Sequence, residues 1–194
     1  MDEPVLDRRE VLAELFPRPE EYLVIAGLAG AARDAAQLTG DGDNLFSMAG
    51  TMGAAVSMGL GVALAAPEAK VAVITGDGEL LMNVGALATV ASMAPGNLSI
   101  VCIDNGCHGE TGGQPGHTAI GTDLAKMADG AGIPSTMTVV RPDELEAGAA
   151  FLIEAPAPRF LVVRVTAGQP AAFKRNMDPA ACRVRFRNVY LGSG

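Results

Sequence analysis

Two short segments of this 194-residue chain carry residues whose types and spacing could do chemistry. The first is Gly76-Asp77-Gly78, directly after the apolar, β-branched run Val71 to Thr75. A carboxylate between two glycines can approach a cation closely, and Gly78 leaves backbone N–H groups free where a helix begins. That combination suits a hard cation bridged to a phosphate group. Asp77 equally suits the N-cap of a tight strand–helix turn, and a Gly-Asp-Gly tripeptide alone does not separate the two roles. The second is Asn105, which follows the apolar run Leu98 to Ile103 and stands 28 positions beyond Asp77. If both runs are neighbouring strands, Asp77 and Asn105 present two oxygen ligands side by side. Between Asp104 and Gly121 lies a six-glycine loop that holds both histidines, His108 and His117, with Cys107, Glu110 and Gln114. A histidine there could steady a carboxylate or relay a proton near neutral pH, or be a solvated loop residue. Gln114 could bond a substrate or brace the loop.

The elements that must hold these residues alternate in character. Val5 to Leu15 reads as an amphipathic helix stopped by Pro17, and Tyr22 to Ala26 as a short strand followed by Gly27-Leu28-Ala29-Gly30 and a helix to about Leu38. Gly40 to Asn44 is a loop, Thr51 to Ala65 a helix of small residues, Val71 to Thr75 a strand, and Leu80 to Ser92 a helix. Leu98 to Ile103, Thr136 to Val140 and Arg159 to Val165 read as further strands, with helices over Thr122 to Ala131 and Pro142 to Ile153. Near-continuous apolar strands alternating with helices predict an α/β fold, a doubly wound parallel sheet with helices on both faces. In such sheets ligands bind beyond the carboxyl ends of the strands, so the loops after Ala26, Thr75 and Ile103 are where a site belongs.

Composition narrows the classes. The net charge of −8 excludes nucleic acid as a main partner, although the stretch from Lys174 to Arg187 carries +4 against −12 elsewhere. Within it, Arg183-Val184-Arg185-Phe186-Arg187 alternates like an exposed or partner-paired strand. Three cysteines without CxxC spacing point to free thiols and a cytoplasmic setting, and the acidic start, Met1 to Glu10, is unlike a signal peptide. The uncharged run Met48 to Ala66 holds four glycines and reads as a buried helix, not a membrane span. The GxG at Gly59 to Gly61 lies inside that helix, which argues against a dinucleotide site.

Gly-Asp-Gly, 26 residues and Asn resembles the thiamine diphosphate signature, and Gly50-Thr51-Met52-Gly53 resembles the family segment that wedges between the cofactor's two rings. The loop Asp104 to Pro115 is similar to those of the sulfopyruvate and phosphonopyruvate decarboxylases, and the resemblance runs from about Tyr22 to Val165. It implies a diphosphate-binding domain, placed over 1–169; the basic extension 170–194 reads from its own pattern as a subunit contact, with a solvated extension or a substrate-anion contact as alternatives. The resemblance implies Asp77, Asn105 and the Cys107 carbonyl as Mg²⁺ ligands, and Gly78 and Glu79 N–H groups for the diphosphate of thiamine diphosphate. Gly76 completes that turn, the Gly50 carbonyl would meet the pyrimidine, Met52 would be the wedge, and His108 would lie near cofactor and substrate with Gln114. For Met52, core filling is the ordinary alternative.

The sequence departs from the family at three places: Glu79 where Ser is frequent, no hydroxyl in Gly27-Leu28-Ala29-Gly30, and Glu110 where related loops tend to have Ser. Glu79 must therefore turn aside or pair, and backbone donors must replace the hydroxyl. No segment is long enough for the family's pyrimidine-binding domain with its activating Glu. The resemblance thus implies a β subunit that works with a separate α subunit, in a hetero-oligomer with at least two of each chain. The reaction implied is decarboxylation of a 3-substituted pyruvate. A carboligase or acyl-transfer enzyme and a non-catalytic cofactor-binding regulatory subunit are the alternatives. Lys126, the tail and the partner are the candidate sources of a cation for the substrate's second anion.

Overall fold

The computed structural model describes residues 5–48 and 50–192. In chain order the elements are α1 (Arg8–Leu15), β1 (Tyr22–Ala26), α2 (Ala29–Thr39), β2 (Leu45–Ser47), α3 (Ala55–Ala65), β3 (Lys70–Gly76), α4 (Asp77–Leu81) and α5 (Ala86–Met93). There follow β4 (Leu98–Asp104), β5 (Cys107–His108), β6 (Gln114–Pro115), α6 (Leu124–Gly130), β7 (Ser135–Val139), α7 (Leu145–Glu154), β8 (Arg159–Arg164) and α8 (Pro179–Leu191).

Six strands form one parallel sheet in the order β2-β1-β3-β4-β8-β7. Alternate strand residues feed two cores, as a pleat with both faces covered requires. Val24, Ala26, Ala72, Ile74, Val101 and Ile103 pack under α1, α2 and α7. Leu23, Ile25, Val71, Val73, Ile100 and Cys102 pack under α3, α5 and α6. This is the doubly wound fold that the alternation predicts. From β1 the chain moves outward to β2, and from β3 it moves the other way to β4. The carboxyl ends of β1 and β3 therefore flank the topological switch point, where open α/β sheets hold ligands.

Several elements differ from the sequence expectation. The stretch 183–187 is not a strand but part of α8. Asp178 caps that helix by accepting from the N–H groups of Ala180 and Ala181, Pro179 opens it, and Cys182 and Phe186 are buried one turn apart. The local alternation of charge is thus outweighed by the i,i+4 apolar pair. Helix α3 begins at Ala55, after a loop. The expected single helix from Leu80 breaks between α4 and α5 around Gly85, and its first turn starts earlier, at Asp77. Strand β2 was not expected, and the loop after β4 folds into the small antiparallel hairpin β5–β6. No described helix is long and apolar enough to cross a membrane. The basic tail is described as far as residue 192, so its last two residues, and Met1 to Pro4 of the acidic start, lie outside the described residues. Ala49, within the uncharged run, does too.

Candidate cofactor site at the strand ends

Strands β3 and β4 lie side by side with Gly76 level with Ile103, so Asp77 and the pair Asp104-Asn105 emerge at adjacent carboxyl ends. Asp77 is buried, as is Asp104. The Thr118 hydroxyl reaches Oδ1 of Asp104 at 2.6 Å and Oδ2 of Asp77 at 3.3 Å. Its single proton can serve only one of them at a time. Burial first, and the neighbouring Asp104 charge second, push the Asp77 carboxyl up to about 6. The nearest cation to Asp104 is Arg164, with Nε 3.8 Å from Oδ2. Two buried acids short of positive charge, beside the amide oxygen of Asn105, make a hard oxygen donor set of the kind Mg²⁺ takes. Among the described residues no group of three or more His, Cys, Asp or Glu side chains forms a closed cage.

Above these residues opens a cavity of about 580 Å³. Its lining brings together Met52, Gly76, Gly78, Glu79, Asn105, Cys107 and His108, from three separate stretches of the sequence. The His108 ring lies 3.3 Å from where a Cβ on Gly78 would be, so the imidazole rests against the turn that follows β3. Asn105 accepts the Cys107 N–H at 3.2 Å, which fixes the start of the hairpin loop. Met52 stands 46% exposed at the cavity and fills no core. Asp77 lies just beneath the lining. Gly50 (φ 102°) and Gln114 are not in the lining. Gln114 is exposed and engaged with Thr111, donating to its carbonyl at 3.1 Å.

Glu79 resolves one departure from the family. Its side chain turns under the end of β1, where Oε2 accepts from the Thr75 hydroxyl at 3.0 Å and from the Leu28 N–H at 3.3 Å. A Cβ at position 27 would fall 1.6 Å from that oxygen, so glycine there makes the room. Burial raises the Glu79 carboxyl, and its other oxygen, Oε1, is buried without a hydrogen-bond partner among the described residues. Lys126 is 86% exposed in its side chain, paired with Asp123, and absent from the lining. Among the described residues, the arginine in the cavity wall is Arg8, 6% exposed. Sequence reading missed it because its placement depends on Asp34, 26 residues away. Asp104 was detectable: it is an acid closing an otherwise apolar strand.

A doubly wound sheet with an acid and an amide at adjacent strand ends, beside a cavity at the switch point, defines an α/β protein with the ligand-site architecture of open parallel sheets. Residues 30–163 match the family of the thiamine pyrophosphate enzyme C-terminal TPP binding domain. The chain belongs to that family. It is similar to phosphonopyruvate decarboxylase of Streptomyces viridochromogenes, 35% identical over 91% of this chain and 43% of that protein. It is also similar to the sulfopyruvate decarboxylase subunit beta of Methanocaldococcus jannaschii, 38% identical over 72% of this chain and 73% of that subunit. The chain therefore spans less than half the length of the phosphonopyruvate decarboxylase it matches. A solved structure from Mycobacterium smegmatis, of an enzyme assigned as thiamin diphosphate-dependent, shares the fold over 86% of this chain and 32% of its own, with a TM-score of 0.68 at 23% identity.

Proposed function

We propose that this chain is the diphosphate-binding β subunit of a thiamine diphosphate- and Mg²⁺-dependent 2-oxo acid decarboxylase. Its substrate is a 3-substituted pyruvate of the sulfopyruvate or phosphonopyruvate type, and its products are an aldehyde and CO₂. The observation that carries the reading is the convergence of Asp77-Gly78 and Asn105-Cys107 beside one cavity at the switch point. Asp77, Asn105 and the Cys107 carbonyl would hold Mg²⁺, and the Gly78 and Glu79 N–H groups would receive the diphosphate. The Gly50 carbonyl and Met52 would meet the rings. Bound cofactor supplies the carbon nucleophile and electron sink that loss of CO₂ requires. His108 lines the cavity and would steady the substrate carboxylate or pass a proton at its ring nitrogen. Gln114 braces the loop that carries His108.

The pyrimidine half and the activating Glu would come from a separate α subunit, in a hetero-oligomer holding at least two of each chain. The relative named as a beta subunit supports this division. The outward face of α8, with Arg183, Val184, Arg187 and Asn188 around a surface hollow, is the proposed contact for that subunit. Calorimetry with thiamine diphosphate, Mg²⁺ and NAD tests the cofactor assignment. Mg²⁺-dependent binding of thiamine diphosphate, lost in Asp77→Asn and Asn105→Ala, is the expected result; binding of NAD in its place would overturn the reading.

A further inference from the structure

The loop that carries Cys107 and His108 leaves β4 at Asp104 and returns past Gly116 to Thr118, where its two ends meet against Asp77. The Asp104 carboxylate joins them: Oδ1 accepts the Gly106 N–H at 3.0 Å and the Thr118 hydroxyl at 2.6 Å. Gly116 adds a backbone tie, its N–H donating to the Gly106 carbonyl at 2.7 Å. A Cβ at Gly116 would lie 3.1 Å from Oδ2 of Asp77 and 3.2 Å from the Gly106 carbonyl carbon, so the returning chain packs against both. Thr118 is 2% exposed.

Thr118 touches Asp77 as well, with its oxygen 3.3 Å from Oδ2. Gly116 and Thr118 together flank that oxygen, which sets the rotation of the carboxylate. On the β4 side, Asn105 follows Asp104 directly, and its Oδ1 accepts the Cys107 N–H at 3.2 Å. Asp77 after β3, and Asn105 and Cys107 after β4, are therefore tied, directly or through Asp104, to one buried hydroxyl. No local pattern marks that hydroxyl, which stands 41 positions beyond Asp77 and 14 beyond Asp104.

We propose that Thr118 is a positioning residue of the cation site and sets its preference for Mg²⁺ over a larger divalent cation. This rests on the reading of the cavity given under Proposed function. Mg²⁺ demands short, nearly octahedral oxygen contacts, whereas Ca²⁺ accepts longer and more varied ones. Selection between them therefore depends on how rigidly the ligands are spaced. A hydroxyl that bonds the acid ending β4 and touches the acid following β3 holds that spacing without lending an atom to the cation. Groups that orient metal ligands in this way carry about ten- to a hundred-fold of the metal's affinity.

The test titrates Mg²⁺ and, separately, Ca²⁺ into the metal-stripped complex of this chain with its pyrimidine-binding subunit. The titrations are calorimetric, with thiamine diphosphate present, and circular dichroism melting confirms folding. Thr118→Val removes the hydroxyl at nearly constant shape and charge, and Thr118→Ser keeps it; Thr118→Ala replaces the valine variant if that one does not fold. For Thr118→Val the Mg²⁺ Kd is expected to rise about ten- to a hundred-fold and the Ca²⁺ Kd by less than about three-fold. Thr118→Ser is expected to restore the Mg²⁺ preference. Unchanged Mg²⁺ affinity in the folded variant, equal losses for both cations, or no recovery by serine overturns the role of Thr118 while the cofactor reading stands. A wild-type complex that binds thiamine diphosphate without a divalent cation, or not at all, overturns the cation reading, and the role of Thr118 with it.

Discussion

Glu79 occupies space that only glycine at position 27 leaves open, since a Cβ there would lie 1.6 Å from the carboxylate. Gly27→Ala is therefore expected to cost roughly 1–3 kcal/mol, read as a lower urea midpoint, because the acid must leave its bonds to Thr75 and Leu28. In a Glu79→Ala background the same change should cost little. A second residue-scale test concerns Asp34. Burial holds its carboxyl above the usual range, and the Arg8 charge opposes that shift. Removing Arg8 in Arg8→Met raises the folded-state value further. A raised carboxyl penalises the fold only where it would be ionised, so the variant's deficit should be largest at neutral pH, roughly 3–5 kcal/mol. The deficit should shrink as the pH falls towards the ordinary carboxylate range. Urea unfolding from about pH 7 to about pH 4 checks this; a deficit that stays constant would show that Asp34's charge is not its cause.

At the scale of elements, α8 has two faces with different tasks. Phe186 packs edge-on against Phe46 of β2, with centroids 5.7 Å apart, and the Cys182 thiol reaches the Leu45 carbonyl. Phe186→Ala is expected to destabilise the chain by about 3 kcal/mol. Arg183→Glu with Arg187→Glu, on the solvent face, should change stability by less than about 0.5 kcal/mol yet weaken assembly with the α subunit. Assembly unaffected by the charge reversal, measured by light scattering, would reject α8 as the contact. The strands were legible in the sequence because parallel strands covered on both faces read as unbroken apolar runs. Strand β2 was not, being three residues after a glycine- and aspartate-rich loop. Helix α8 was misread because its five central residues alternate, while the pair that decides its face, Cys182 and Phe186, is visible only at helical spacing.

For the whole molecule, the spacing of Asp77 and Asn105 was informative because parallel neighbours with short crossovers put successive strand ends together. Arg8 was not, because its position comes from a long-range ion pair that no local pattern encodes. The similarity to a relative named as a beta subunit supports the proposal that this chain is one half of a two-chain decarboxylase. The most direct test is CO₂ release from sulfopyruvate and phosphonopyruvate, with thiamine diphosphate and Mg²⁺ present. It is measured for the purified chain alone and after addition of the pyrimidine-binding subunit from its own organism. No release by the chain alone and steady turnover by the pair, on at least one of the two acids, is the predicted result. Substantial turnover by the chain without a partner would contradict it.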